Sequence, residues 1–435
     1  MDAAVQVALI LLVIVGVLLL IGTPISISIG IGSAVAILSL MDLDKAMITS
    51  SQRMFTGINS FSLLAIPFFI LAGVIMNNGG IAIRLVNCAK VVSGRLPGSL
   101  AHTNIVANML FGSISGSAVA AAAAVGGTMS PLQEKEGYKR EFSAAVNIAS
   151  APAGMLIPPS NTLIVYSLVS GGTSVAALFM AGYLPGLLWG LGCMIVAYFL
   201  ARKYGYKNDN GISFKQALLV FLDAIPSLLL IVIVIGGIIG GVFTATEGSA
   251  IAVVYALLLS FIYRTIKVRD LPKILLDSTR TTAIVIFMIG VSSIMSWVMA
   301  FTNIPGMLAQ ALLDFTSNPI MILLIMNLIL LVIGTFMDPT PAVLIFTPIL
   351  LPIALSLGID PVHFGILMVF NLCIGTITPP VGPVLFVGCK VANLKIENVI
   401  RPLLPFFAVA VVMLLIITFI PEISLTIPRL LDLIK

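Results

Sequence analysis

Charge is what this sequence has least of: Asp, Glu, Lys and Arg make up 9% of its 435 residues, against 60% hydrophobic residues and a mean hydropathy of +1.18. That scarcity excludes a soluble domain and implies an integral membrane protein. The apolar runs are roughly 15 to 25 residues long and show no dyad alternation, which excludes a β-barrel and predicts helical spans. Cysteine is rare and unpaired in spacing, at Cys88, Cys193, Cys373 and Cys389, and His102 and His363 stand alone. Neither a disulfide framework nor a transition-metal site is expected. No Gly-x-x-x-x-Gly-Lys-[Ser/Thr] phosphate loop is present, which argues against a chain that pumps by hydrolysing ATP itself. The first apolar run, 3–21, follows Asp2 without a basic region or a small-residue cleavage site, and reads as a retained helix. The formal charge of +5 sits in short loops, where it reports orientation and not nucleic-acid binding.

What is present is a repeat. Gly154-Met-Leu-Ile-Pro158-Pro159 recurs 221 positions later as Gly375-Thr-Ile-Thr-Pro379-Pro380. A Pro pair removes helical hydrogen bonds and clashes with the preceding turn, so both sites predict a deliberately broken helix. At the same offset Thr23 meets Thr244, Ser117 meets Asp338, Pro131 meets Pro352 and Gly137 meets Gly358. The duplication spans nearly the whole chain, as repeats 1–210 and 211–435. Scaffold helices are expected at 4–58 and 217–280, transport elements at 60–170 and 281–392, and closing helices at 174–200 and 402–420.

Segments 98–131 and 319–356 each hold two apolar stretches of roughly 13 to 18 residues around a polar tip, Gly112-Ser-Ile-Ser-Gly-Ser117 and Gly334-Thr-Phe-Met-Asp-Pro-Thr-Pro341. Stretches short of a full span predict re-entrant hairpins. Arg84, Lys90 and Arg95 before the first hairpin, with Lys135, Lys139 and Arg140 after it, put its base in the cytoplasm. The flanks of the second, 301–318 and 357–363, have no Lys or Arg, so its base faces outward. The fold class expected is therefore an all-α polytopic membrane protein, an inverted-topology repeat with two opposed re-entrant hairpins and two broken helices. The connectors 41–58, outside, and 264–280, inside, are both expected to lie along the interface.

A tip beside a break offers unpaired carbonyls, hydroxyls and helix N-termini, suited to a small hard cation and a neighbouring carboxylate. Two Na⁺ cages are expected. The first combines Ser113, Ser115 and Ser117 with the backbone of 151–154, including Gly154; the second combines Gly334, Asp338 and Thr340 with Gly375, Thr376 and Thr378. Asp338 is the only acid between Asp314 and Asp360, and a carboxylate at a buried tip calls for a cation or proton. Its alternative role is a helix cap beside Pro339. The small residues after Ser117 serve close helix packing as readily as ligand contact. Pro159, Ser160, Asn161 and Thr162 at the first break, and Pro380 at the second, are the candidate substrate contacts, with N-capping the plainer role of Ser160 and Asn161. Val381, Gly382 and Pro383 stand where Ser-Asn-Thr stands in the first repeat, so the substrate is expected to lean on one half.

At these residues the chain resembles the large permease subunit of TRAP transporters, the tripartite ATP-independent periplasmic carriers of bacteria. The resemblance rests on Ser60-Phe-Ser-Leu-Leu-Ala-Ile-Pro-Phe-Phe-Ile-Leu-Ala-Gly73, Ser113-Ile-Ser-Gly-Ser-Ala-Val119, Ile157-Pro-Pro-Ser160, Leu178-Phe-Met-Ala-Gly182 and Asp338-Pro-Thr-Pro-Ala-Val343, and covers the chain end to end. It implies an elevator-type secondary carrier of the bacterial inner membrane, not an enzyme, in which two or more Na⁺ ions drive uptake. It also implies a separate small four-helix membrane subunit and a periplasmic binding protein delivering an organic acid. Sialic acid or another sugar acid is favoured, from the likeness of 111–182, with a C4-dicarboxylate next. A related Na⁺-coupled carrier working without a binding protein is the nearest alternative. An intramembrane hydrolase is a different one, disfavoured because the membrane part offers no His base and one convincing acid.

Overall fold

The computed structural model describes residues 3–93, 96–206, 214–316, 318–379 and 381–434, and among them the regular structure is entirely helical. Among the described residues eight helices are long and apolar enough to cross a bilayer, and the bent pair Arg140–Leu156 with Asn161–Val169 makes a ninth span if counted as one. The 221-residue offset carries through to single residues: Ala118–Lys135 and Pro339–Ser356 begin and end at matching positions.

The first hairpin is Ser99–Ser115 with Ala118–Lys135, and the second is Pro319–Phe336 with Pro339–Ser356. Their arms have 17 or 18 residues, at the upper end of the stretches read from apolarity alone. In the first hairpin the helix simply continues past the apolar residues through Gln133-Glu134-Lys135 into the polar layer.

The first broken helix comprises Arg140–Ser150, the single turn Ala153–Leu156 and Asn161–Val169; the second comprises Pro361–Gly375 and Pro383–Val391. Each leaves its first part against the hairpin of its own repeat and sends its second part to the other one. Asn161–Val169 packs on Pro339–Ser356, and Pro383–Val391 packs on Ala118–Lys135. Where the broken helices cross, Gly365 receives the Tyr166 ring and Gly388 receives Ile148, contacts that a Cβ on either glycine would enter at 2.4 and 2.2 Å. Tyr166 Oη also donates to the Pro361 carbonyl at 2.6 Å. Two repeats thereby close into one core, flanked by Val175–Tyr204 and Ile396–Phe419.

Around it stand Ala3–Leu20, Ile25–Leu38, Phe214–Ile239 and Ala245–Ile262, with Ala65–Asn78 packed mainly on Ala245–Ile262. The symmetry fails at the connectors. Leu43–Ile58 is a separate amphipathic helix ended by Asn59 and the extended Ser60, whereas the basic connector 264–280 is not separate from the span after it. Arg280 and Thr281 occupy the positions equivalent to Asn59 and Ser60 and keep helical geometry, so Leu271–Phe301 runs unbroken for 31 residues. Ile81–Ser93, Ile304–Phe315 and Glu422–Leu430 are helices that apolar length did not single out, being short and amphipathic.

Candidate functional site

Both hairpins turn on residues that abandon helical geometry. In the first, Gly116 adopts φ +62°, a conformation costly for a side chain, and Ser117 extends so that its Oγ accepts the Ala120 amide at 3.3 Å. In the second, Met337 and Asp338 are both extended, and Asp338 Oδ1 accepts the Thr340 amide at 3.2 Å. Ser117 and Asp338 hold the same capping position in the two repeats, and one of them brings a carboxylate.

Glycine lets each tip touch a break. A Cβ on Gly154 would lie 2.3 Å from Gly112 Cα, and one on Gly375 would lie 2.2 Å from the Gly334 carbonyl carbon. Gly116 in turn meets Asn161, whose Nδ2 would be 2.8 Å from a Cβ there. Each hairpin is thus in backbone contact with the break of its own repeat, Gly112 with Gly154 and Gly334 with Gly375.

The breaks differ. The first bends by 46° at Pro158 and Pro159, which are joined by a cis peptide bond, and restarts with Ser160 Oγ accepting the Leu163 amide at 3.4 Å. At the second, the Thr376 carbonyl accepts the amides of Val384 at 3.1 Å and Leu385 at 3.3 Å, and the Gly382 amide donates to Thr335 of the second hairpin at 3.0 Å. The amides that open the second restart are thus already engaged by backbone, as the departure from Ser-Asn-Thr to Val-Gly-Pro allows.

A cavity of about 540 Å³ joins these parts. Of the predicted residues, Ser115, Ser117, Asn161, Asp338, Thr340 and Thr376 line it. Asp338 is half-buried and is the one titratable side chain among the described lining residues. Ser113 and Thr378 are not in the wall; their hydroxyls donate to Leu110 O at 2.9 Å and Ile374 O at 2.7 Å, as the Thr376 hydroxyl, which is in the wall, donates to Cys373 O at 2.7 Å. Gly154, Gly334 and Gly375 lie behind it in the backbone contacts, as do buried Pro159, Ser160 and Thr162; Pro380 lies outside the described residues. The opposite wall is mainly apolar, with Ile66, Ile70, Gly73, Val285 and Met288 facing the tips. Asn77, at the end of Ala65–Asn78, and Thr281, next to Arg280 within Leu271–Phe301, carry the cavity toward the side that Arg84 and Arg280 mark as cytoplasmic by loop charge.

Buried amides behind the tips were missed. Asn108 Nδ2 lies 2.8 Å from Ser150 Oγ and 3.0 Å from both Asn104 Oδ1 and Asn147 Oδ1, while Asn147 Nδ2 donates to Ala122 O at 2.8 Å. In the second half Asn371 Nδ2 donates to Asn327 Oδ1 at 2.7 Å and Asn327 Nδ2 to Thr418 Oγ1 at 2.9 Å. The signal was available: Asn104 and Asn108, four apart within a membrane-embedded helix, must share a face and find partners.

Residues 12–423 match the family described as tripartite ATP-independent periplasmic transporter, DctM component. The chain is 58% identical over 414 residues to the uncharacterized protein YgiK of Salmonella typhimurium, covering 95% of each. It is 39% identical to the sialic acid TRAP transporter large permease protein SiaM of Vibrio cholerae, over 88% of this chain and 89% of the relative. It is 40% identical to the C4-dicarboxylate TRAP transporter large permease protein DctM of Pseudomonas aeruginosa, over 87% and 88%. Among solved structures it resembles the YdaH transporter of Alcanivorax borkumensis, whose topology is described as unusual, with a TM-score of 0.61 at 13% identity over 88% of this chain and 90% of that one, a likeness of fold.

Proposed function

We propose, from the premise that this chain belongs to the DctM component family of tripartite ATP-independent periplasmic transporters, that its central cavity carries an organic acid inward, driven by Na⁺. The chain is a multi-pass subunit of the bacterial inner membrane and a transporter permease for organic acids, not an enzyme. Its family works as a tripartite system, with a small membrane subunit and a periplasmic binding protein as the partners proposed here.

One observation carries the coupling: a lone carboxylate, Asp338, stands with the hydroxyls of Ser115, Ser117, Thr340 and Thr376 where two hairpin tips meet two broken helices. Bound Na⁺ would lower the cost of that carboxylate in a low-dielectric site, and the acid's own carboxylate would then approach without meeting an uncompensated like charge. Asn161, at the restart capped by the Ser160 side chain, lines the cavity and offers the substrate its side-chain amide. Substrate and ions thus share one cavity, which is what makes each favour the binding of the other.

The wall chemistry supports an elevator movement. Polar groups cluster on the hairpins and broken helices, while the facing scaffold is mainly apolar and can be slid across without breaking many hydrogen bonds. In this reading the moving core is the two hairpins with the two broken helices, 98–170 and 319–392, and its cavity opens to the cytoplasm. It is narrower than the 60–170 and 281–392 expected from the sequence, because Ala65–Asn78 packs mainly on Ala245–Ile262 and Leu271–Phe301 is continuous with the basic connector. A sugar acid is the favoured substrate, from the likeness of 111–182, with a C4-dicarboxylate next; the sialic acid and C4-dicarboxylate relatives are about equally similar to the chain.

The test is reconstitution with a small subunit in liposomes under an imposed Na⁺ gradient, measuring acid uptake with and without the binding protein. Uptake that ignores the Na⁺ gradient would sink the coupling. Uptake that ignores the binding protein would instead favour a self-sufficient carrier.

A further inference from the structure

A second cavity, of about 390 Å³, lies at another part of the seam between core and scaffold. Its walls come from helix ends that loop charge puts outside the cell: Thr56 and Ser60 by the end of Leu43–Ile58, Val169 at the end of the first broken helix, and the last third of Leu271–Phe301. Leu344 and Pro348 of the second hairpin form its core side.

Close packing builds the polar wall. A Cβ on Gly57 would lie 2.0 Å from Ser293 Oγ, and one on Gly290 would lie 2.9 Å from Met54 Cγ, so Leu43–Ile58 rides directly on Leu271–Phe301. That crossing holds the Arg53 guanidinium 5.3 Å from the centre of the Trp297 ring. Beside them Ser292 is 3% exposed, lines the cavity, and has no hydrogen-bond partner for its Oγ among the described residues. Its neighbour Ser293 is satisfied by the Ile289 carbonyl at 2.9 Å. No acid is among the described lining residues. A cation with five donors, a buried hydroxyl in want of a partner and an apolar floor together fit an oxyanion carried on an organic body.

We propose that Arg53, Ser292 and Trp297 form an outer carboxylate site that holds the acid before it reaches the central cavity. The identification of the anion as the transported acid rests on the function proposed above. The connector 41–58 carries Asp42 and Asp44 against Lys45 and Arg53, so an anion is held by the Arg53 guanidinium at close range and not by a positive outer face. Because Leu344 and Pro348 belong to the moving core, its displacement would reshape the site and release the acid.

The chain has two tryptophans, and Trp189 is buried in the core, so emission from Trp297 reports this site. The purified chain in detergent is titrated with succinate, gluconate and N-acetylneuraminate, with neutral succinamide as control. A saturable emission change with at least one acid and none with succinamide is expected, lost in Trp297→Phe. Arg53→Gln should weaken the midpoint by about tenfold or more, the effect of losing a charge-assisted hydrogen bond, with Arg53→Lys in between and Ser292→Ala weaker than wild type. A flat titration with all three acids overturns the site, as does an unchanged midpoint in Arg53→Gln. A response to phosphatidylglycerol in the micelle but to none of the acids assigns the site to a lipid headgroup and overturns it equally. The titration needs no gradient and no uptake, so its failure is separable from a failure of Na⁺-driven transport in the wild type.

Discussion

Gly375 and Gly334 touch through their backbones: a methyl group on Gly375 would stand 2.2 Å from the Gly334 carbonyl carbon, and Gly112 with Gly154 repeats the arrangement in the other half. The tip of each hairpin is held at a break by the absence of a side chain. Gly375→Ala must push two rigid backbones apart, at a cost on the order of 1–3 kcal/mol. The expected outcome is a lower melting temperature in detergent and loss of Na⁺-dependent uptake, with Gly154→Ala behaving alike. A variant that melts and transports like its parent would show that the contact is slack.

Asp338 is at once a cap and the charge in the cavity, and two substitutions separate these roles. Asp338→Asn keeps an oxygen to accept the Thr340 amide and removes the charge; Asp338→Ala removes both and loses roughly 1 kcal/mol of capping. Both variants are expected to abolish Na⁺-dependent uptake, while only the alanine variant melts early. Full uptake in Asp338→Asn would return the residue to capping alone.

The scaffold is tied across the repeats by Arg84, whose Nε is 3.1 Å from Asp223 Oδ1 and whose guanidinium stands 3.5 Å from the Tyr263 ring centre. A planar cation is needed for both contacts at once. Arg84→Lys should therefore destabilise by about 1 kcal/mol, and exchanging the pair as Arg84→Asp with Asp223→Arg should fail to restore the melting temperature, since the charge then leaves Tyr263. Full rescue by the exchange would reduce the tie to simple ion pairing.

Alkaline stability offers a fourth check. Tyr138, in the loop between the first hairpin and the first broken helix, is 6% exposed and stacks on Tyr206 with ring centres 4.2 Å apart; burial pushes its phenol up to about 12. The folded state thus favours the neutral phenol, and its stabilising contribution is complete below the unfolded value of about 10 and is lost as pH rises toward 12. Melting curves between these limits should show a steeper alkaline decline in the wild type than in Tyr138→Phe. Parallel curves would mean that the loop opens before the phenol titrates.

The sequence by itself determined the class of this protein. Apolar run length, loop charge and a 221-residue offset are local or additive signals, and they suffice for an all-helical membrane protein with two inverted repeats, two hairpins and two breaks. They also singled out Ser115, Ser117, Asn161, Asp338, Thr340 and Thr376, because polar residues at interruptions of apolar helices have few other reasons to be there. Contacts between distant segments carry no such local mark. The exchange of broken-helix halves between repeats, the placement of Ser113 and Thr378 outside the cavity wall, and the fusion of 271–280 into a 31-residue helix all depend on which neighbours pack there. So does the seating of Arg53 on Trp297, which follows from two glycines meeting partners more than 200 positions away. Packing against a surface supplied by another part of the chain decided these points, and only the tertiary structure contains it.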